Sequence, residues 1–458
     1  MKQALITGTH APVKPTWPES LFVIAALLLL SRAWSSTLFT GVAPGEVTAA
    51  TNEPVRLLLF LSIYVISGLL LLVQWRAVMG ALLRQKFMFL LLALTLVSPL
   101  WSVNTAESIE KTAGILGGSV FALYLAYRLD TDVMLHLLAI ALAVIVIGSY
   151  VMALMFPESG VMQGNHQGLW RGVFQHKNHL GLYTVIAGAT FFTMALRQRA
   201  CRGYYLTGFL LSFVLLALST SKTSILSWTI VFCVLCGYAF YTGRKRFGLL
   251  AIASSALILG CFVLQTQARI MAPIVLDVTV TCIESKAQGD SVACNIIPTA
   301  QALAPRSSDF STGRGRIELW QHLWTQIQQR PVLGYSPGGF WLGMDGPSAY
   351  VWEREPWHPA SSHNGFVELT VHLGFVGLAL FLLGTVPLML GVIQRGLRKT
   401  FSATGAVYGA MLAALLLGNL GESMLLSPNK LPWVLMVLLT FGLYRHYGAS
   451  RTGSAANE

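Results

Sequence analysis

The chemistry of this chain starts at His363 and Asn364, which head the stretch SHNGFVELTVHLGFVGLALFLLG (362–384). Only Glu368 and His372 bring further ionisable groups into that apolar run. Titratable side chains at the mouth of a membrane helix cost free energy, which makes them functional candidates. An imidazole at the positive end of a helix is biased toward its neutral form, the form a general base needs. Ser362 or Asn364 equally suits the N-cap of the helix that must begin here. Glu368 lies about one turn beyond His363 and His372 about two and a half turns beyond it. The carboxylate suits orienting a histidine or, better, a buried structural role.

Cationic groups recur at similar places. WRGVFQHKNHLG (170–181) holds Arg171, His176, Lys177, Asn178 and His179, and GRGRIELW (313–320) holds Arg314 and Arg316. HPASSHNG (358–365) adds His358, and STSKTS (219–224) adds Lys222. The guanidinium fork donates two parallel hydrogen bonds and keeps its charge, so it suits diphosphate. Helix N-termini add unpaired N–H groups that favour an anion. Together these groups suit deprotonating a hydroxyl while neutralising a departing diphosphate. Arg171 and Lys177 also fit as headgroup anchors, and Trp170, Trp320, Trp324, Trp341 and Trp357 fit either an aromatic belt or sugar-stacking platforms. No H-E-x-x-H spacing occurs and acidic partners are sparse, so neither a metal nor a cofactor is expected.

The elements that carry these groups are membrane helices. Of 458 residues, 54% are hydrophobic and 11% charged, against about 25% charged in an ordinary globular chain. Apolar runs close to the ~20 residues of a bilayer span recur throughout. Twelve spans are expected, near 20–35, 55–74, 87–101, 112–127, 134–155, 180–196, 204–220, 223–241, 247–265, 365–393, 405–420 and 431–447. With both termini inside, the short inside segments collect Arg76, Arg84, Lys86, Arg128, Arg197, Arg199, Arg202, Arg244, Lys245, Arg246, Arg395, Arg398, Lys399, Arg445 and Arg451, besides Lys2 and Lys14. The short outside segments carry few cations: Lys111, Arg171, Lys177, Lys222 and Lys430, with Arg32 and Arg56 near span ends. This asymmetry orients the chain and accounts for the net charge of +12 without nucleic acid.

The fold class is therefore all-α and polytopic. Helices one to nine fall in 1–265, a large outside loop with short helices in 266–362, helices ten to twelve in 363–447, and a tail in 448–458. Within the loop, Ile317, Trp320, Leu323, Trp324 and Ile327 recur at helical spacing, followed by a turn-rich segment at 331–339. Cys282 and Cys294 share this loop and can form a disulfide in an oxidising compartment.

Four stretches resemble the O-antigen ligase and O-antigen polymerase (Wzy-type) superfamily of bacterial membrane glycosyltransferases. SPLWSVNTAES (98–108) looks like its early tryptophan–serine signature. WRGVFQHKNHLG resembles its arginine–asparagine block. GRIELW with RPVLGYSPGGFW (330–341) resembles its G-R-x-x-x-W and proline–glycine segment. His363-Asn364, nine residues, then Gly374 and Gly377 fits the ligase-type H-N-x9-G-x-x-G pattern. NLGESMLLSP (419–428) adds to these. The resemblance implies a GT-C-like architecture in the bacterial inner membrane, with the active site facing the periplasm. It implies inverting, metal-independent transfer from a glycan on undecaprenyl diphosphate. Carried over, His363 is the base and Arg171 and Arg316 bind the diphosphate, with Lys177, Asn178, Asn364 and Lys222 lining the substrate site. Gln-His-Lys-Asn stands where many relatives have Asn-Pro-Asn, which is closest to the exopolysaccharide polymerase branch.

The expected activity is polymerisation of lipid-linked repeat units into exopolysaccharide or O-antigen. The alternative within the family is ligation of the glycan to a lipid A core. Expected partners are the lipid-linked donor, the glycan or lipid A core acceptor, membrane lipids, and a chain-length regulator and flippase. A twelve-helix transporter or flippase is the rival of another class, but it calls for midplane charges and repeated halves, and neither shows here.

Overall fold

In lipid a backbone must satisfy its own hydrogen bonds, so long apolar runs survive there as helices. The computed structural model describes residues 14–34, 53–163, 167–264, 314–355, 357–398, 400 and 402–454. Among these, the one strand-like pairing is a bridge between Val161 and Trp170. The helices are α1 (Trp17–Leu30), α2 (Glu53–Leu72), α3 (Trp75–Arg84) and α4 (Lys86–Val97). Then come α5 (Thr105–Arg128), α6 (Thr131–Met155), α7 (Lys177–Arg197), α8 (Arg202–Ser219), α9 (Lys222–Tyr241) and α10 (Lys245–Leu264). The chain closes with α11 (Arg314–Gln329), α12 (Gly365–Leu397), α13 (Ala403–Gly418) and α14 (Leu431–Ser454).

Each of the twelve expected spans falls on one of these helices. By length and composition, seven described helices can cross a bilayer, or eight if the α3–α4 pair, bent by 99°, counts as one span. The remaining four are α1 and α13, which are short, α5, whose first turns carry Glu107, Glu110 and Lys111, and α14. The sequence reading has no counterpart for α3, an amphipathic helix ahead of the third span. The helical spacing at 317–327 becomes α11. Cys282 and Cys294 lie outside the described residues.

The bundle is organised on α7, which is buried along almost its whole length and packs against α6, α8, α9 and α13. A side chain at Gly188 would overlap the Trp228 ring of α9, so this glycine lets the two helices approach closely. Trp228 stacks in turn on Phe232 at 4.2 Å and Phe209 at 5.5 Å.

The two ends of the bundle differ chemically. At one end Arg128 pairs with Glu19 at 3.0 Å, Arg197 pairs with Asp132, and Arg445 donates to the Ala126 carbonyl at 2.7 Å. This is the arginine-rich end that the sequence assigns to the inside. At the other end the C-termini of α1, α8 and α13 meet the N-termini of α7, α9, α12 and α14. Trp34 N–H bonds the Val173 carbonyl at 3.0 Å, and Gly365 N–H bonds the Asn419 carbonyl at 2.7 Å.

Helix α12 is broken inside. Leu373 and Gly374 leave helical geometry, with Gly374 at φ +63°. The turn-rich segment 331–336 fills the break. Tyr335 and Ser336 N–H bond the Val371 and His372 carbonyls at 2.9 and 2.7 Å, and Phe375 N–H bonds the Pro331 carbonyl at 2.8 Å. Backbone groups freed by the break thus find partners, which membrane depth requires. A Cβ on Gly374 would overlap the Val332 carbonyl. The close approach that this glycine permits is to loop backbone.

Candidate functional site

His363 is the left-handed residue that turns the chain into α12, at φ +50°. Such backbone costs about 1–3 kcal/mol for a non-glycine residue and persists only where its surroundings impose it. Asn364 follows as the N-cap, its side-chain oxygen accepting from Phe366 and Val367 N–H at 2.9 and 3.3 Å. Its side chain is therefore committed to the helix start.

The imidazole of His363 faces a carboxylate. Nδ1 lies 3.6 Å from Glu422 Oε2, and Glu422 Oε1 accepts from Asn178 Nδ2 at 2.6 Å. Three separate elements meet here: the start of α12, the α13–α14 connection and the first turn of α7. Burial alone raises the Glu422 carboxyl. The contact with His363, the neighbouring His179 and the Asn178 amide outweigh burial and bring it down to about 2. Glu422 is thus an anion at any working pH. At 3.6 Å the contact is an ion-pair approach rather than a hydrogen bond; closed by a few tenths of an ångström, it leaves Nε2 as the proton acceptor.

Glu368 braces the loop that carries His363. Its Oε2 accepts from Ser362 N–H at 2.7 Å and Ser423 Oγ at 3.3 Å, and its Oε1 accepts from Trp341 Nε1 at 2.8 Å. His372 Nε2 lies 3.4 Å from the same Oε1. The Trp320 indole of α11 donates to the Ser362 carbonyl at 2.8 Å. Glu368 is a structural carboxylate in contact with His372 and the loop rather than with the His363 ring.

The expected cations are distributed unevenly. Arg171 is 5% exposed. Its Nε and Nη2 donate to the Ser159 and Glu158 carbonyls at 3.0 and 3.2 Å, and burial pulls its pKa down. Arg316 is half-buried in the first turn of α11, the helix whose Trp320 holds the His363 loop. Lys177 opens α7 beside Asn178, and Lys222 opens α9, where Thr223 packs on Gly421 next to Glu422. His176 caps α7, its Nδ1 accepting from Asn178 N–H at 3.2 Å, and His358 stacks on Trp352 at 4.8 Å. Both have structural work.

Sequence reading gives no site role to three members of this cluster: Glu422, and Lys430 and Arg32, which count there only as outside charges. Burial depresses the Lys430 ammonium and the Arg32 charge nearby adds to that, while Glu422 and Glu368 oppose it. Lys430 follows Asn429, whose side chain hydrogen-bonds Tyr64 of α2. The signal available was NLGESMLLSP (419–428): an acidic residue in an outside connection of a chain with few acids.

Fold and site together define an all-α polytopic membrane protein with a histidine–carboxylate pair and nearby cations at one end of its bundle. Residues 207–382 match the family model described as O-antigen ligase, and the resemblance read from the motifs holds: the chain is similar to the O-antigen ligase and polymerase superfamily. The matched segment contains Lys222, Arg316, His363, Asn364, Gly374 and Gly377, while Asn178 and Glu422 fall outside it. Over 70 residues the chain is 33% identical to a Rickettsia conorii protein described as a candidate polysaccharide ligase. That match covers 15% of this chain and 17% of the relative.

Proposed function

We propose that this protein is a glycosyltransferase that moves a glycan from a lipid diphosphate carrier onto a sugar hydroxyl. The observation that carries the reading is the His363–Glu422–Asn178 arrangement set among cations at one end of the bundle. His363 Nε2 takes the proton of the acceptor hydroxyl while Glu422 stabilises the imidazolium. The oxygen forms the new bond to the donor's anomeric carbon from the face opposite the diphosphate. The bond from that carbon to the diphosphate oxygen breaks, its electron pair leaves with the diphosphate, and configuration inverts. Lys430 and Arg32, with Arg316, Lys177 and Lys222, supply positive charge for the leaving group. Arg171 supports the site through the 157–160 turn. The donor is a glycan on undecaprenyl diphosphate, and the site faces the periplasm of a bacterial inner membrane, consistent with the arginine-rich opposite end.

The Gln-His-Lys-Asn block favours polymerisation of repeat units. The family description and the Rickettsia relative favour a second reading, ligation to a lipid acceptor such as a lipid A core. The test is His363→Ala in a deletion strain, with the variant verified in the membrane. The expected result is loss of product equal to the deletion. Normal product length and amount would remove His363 from the chemistry. In the deletion itself, single lipid-linked repeats indicate a polymerase, and long polymer stranded on the carrier indicates a ligase.

A further inference from the structure

Four tryptophans surround the His363 loop, and three are engaged in scaffolding. Trp320 holds the Ser362 carbonyl, and Trp341 holds Glu368. Trp352 donates to the Pro359 carbonyl at 2.8 Å and carries the stacked ring of His358. Trp357 is different. It is 41% exposed, and its ring centre lies 5.7 Å from that of His363, inclined by 47°.

Trp357 is exposed but held. Its Nε1 donates to Glu355 Oε2 at 2.9 Å. Glu355 is itself buried, and its Oε1 is paired with His322 Nδ1 of α11 at 3.1 Å. Backbone bonds from Glu355 N–H to Val351 and from His358 N–H to Glu355 fix the turn on either side. An interfacial anchor uses its indole N–H toward water or headgroups. Here the N–H is turned onto a buried carboxylate, which fixes the orientation of a partly exposed ring beside His363.

We infer that Trp357 is the stacking platform for the sugar ring that bears the attacking hydroxyl; the inference rests on the transferase reading above. The negative face of an indole attracts the C–H edge of a pyranose, whose carbon-bound hydrogens carry partial positive charge. A ring seated at contact distance, about 4 Å above the indole, keeps its hydroxyls pointing sideways. One of them then meets the neighbouring imidazole. The ligand class is a neutral or weakly charged pyranose of the acceptor glycan.

The test uses full-length protein in lipid nanodiscs. Acceptor glycolipids extracted from a strain lacking this protein are titrated at fixed saturating donor. Trp357→Leu keeps bulk but removes the aromatic face, and Trp357→Phe keeps a face. Trp357→Leu is expected to raise the acceptor KM about tenfold, with kcat and donor KM unchanged and Trp357→Phe within about threefold of the original protein. An unchanged acceptor KM in Trp357→Leu, with His363→Ala inactive, overturns the platform and leaves the transferase reading standing. Equal defects in both variants with lowered thermal stability show a structural role and also overturn it. If the unaltered protein transfers no glycan, both readings fall.

Discussion

Glu422→Gln tests the site most directly, because it removes one charge and little else. The carboxylate lies 3.6 Å from His363 Nδ1 and is anchored by Asn178 at 2.6 Å. In the transition state His363 is becoming an imidazolium. Two opposite unit charges about 4 Å apart attract by about 4 kcal/mol at an effective dielectric of about 20. Losing that attraction only in the transition state lowers kcat by about three powers of ten, at about 1.4 kcal/mol per tenfold. The acceptor and donor KM should hardly move, since the attraction is lost mainly as the imidazole takes up the proton in the transition state. Glu422→Gln with His363→Ala should be no worse than His363→Ala alone, because the carboxylate acts through the imidazole. The assay is single-turnover glycan transfer in nanodiscs with circular dichroism as the control for folding. A kcat within about threefold of the original protein would refute the electrostatic argument and leave Glu422 as scaffolding.

The same carboxylate gives a pH prediction. Its folded-state pKa is depressed from 4.5 to about 2, so the unfolded chain binds its proton more readily. Its contribution to stability is therefore complete above pH 4.5 and lost as pH falls toward 2; melting curves of the original protein should slope through this window, and those of Glu422→Gln should lack the Glu422 part of the slope. Lys430→Met should raise thermal stability at pH 7, since it removes a buried cation depressed by burial, while raising the donor KM; a lowered melting temperature would show that Lys430 is held by its acidic neighbours after all. Arg171→Ala should cost about 2 kcal/mol in stability, because the Ser159 and Glu158 carbonyls lose charged donors; unchanged melting with a raised donor KM would instead mark Arg171 as a direct substrate ligand. Gly374→Ala should cost about 3 kcal/mol or more, from positive φ and overlap with Val332; normal yield and melting would mean the break in α12 is dispensable.

The helices were legible because their signal is local. Apolar runs near 20 residues and the spacing of Ile317, Trp320, Leu323, Trp324 and Ile327 need no knowledge of neighbours. An N-cap at Ser362 or Asn364 was legible for the same reason, and the structure selects Asn364. Glu422 was not legible, since nothing in the 58 residues of intervening helix and turn ties it to His363. Arg171 shows a different limit. Its residue type fits diphosphate, and only tertiary structure reveals that its Nε and Nη2 also hold the Ser159 and Glu158 carbonyls. Gly374 enters the sequence only as a position in the H-N-x9-G-x-x-G pattern, and what it meets is backbone of a loop about forty residues upstream. A sequence shows that a backbone can come near something and leaves open what it meets.

The pairing of 331–336 with the break in α12 has a practical consequence for building hybrids between relatives. Strands of backbone from the two segments supply each other's hydrogen bonds at 2.7–2.9 Å, so neither can be transplanted as a free-standing cassette. A graft of 314–355 taken without 371–376 would join mismatched halves of one joint, and the residue tilted out of register would be His363, seven positions from its edge at Thr370. The natural cut points for such hybrids therefore lie before α11 and after the bend in α12, with everything between them moved as one piece.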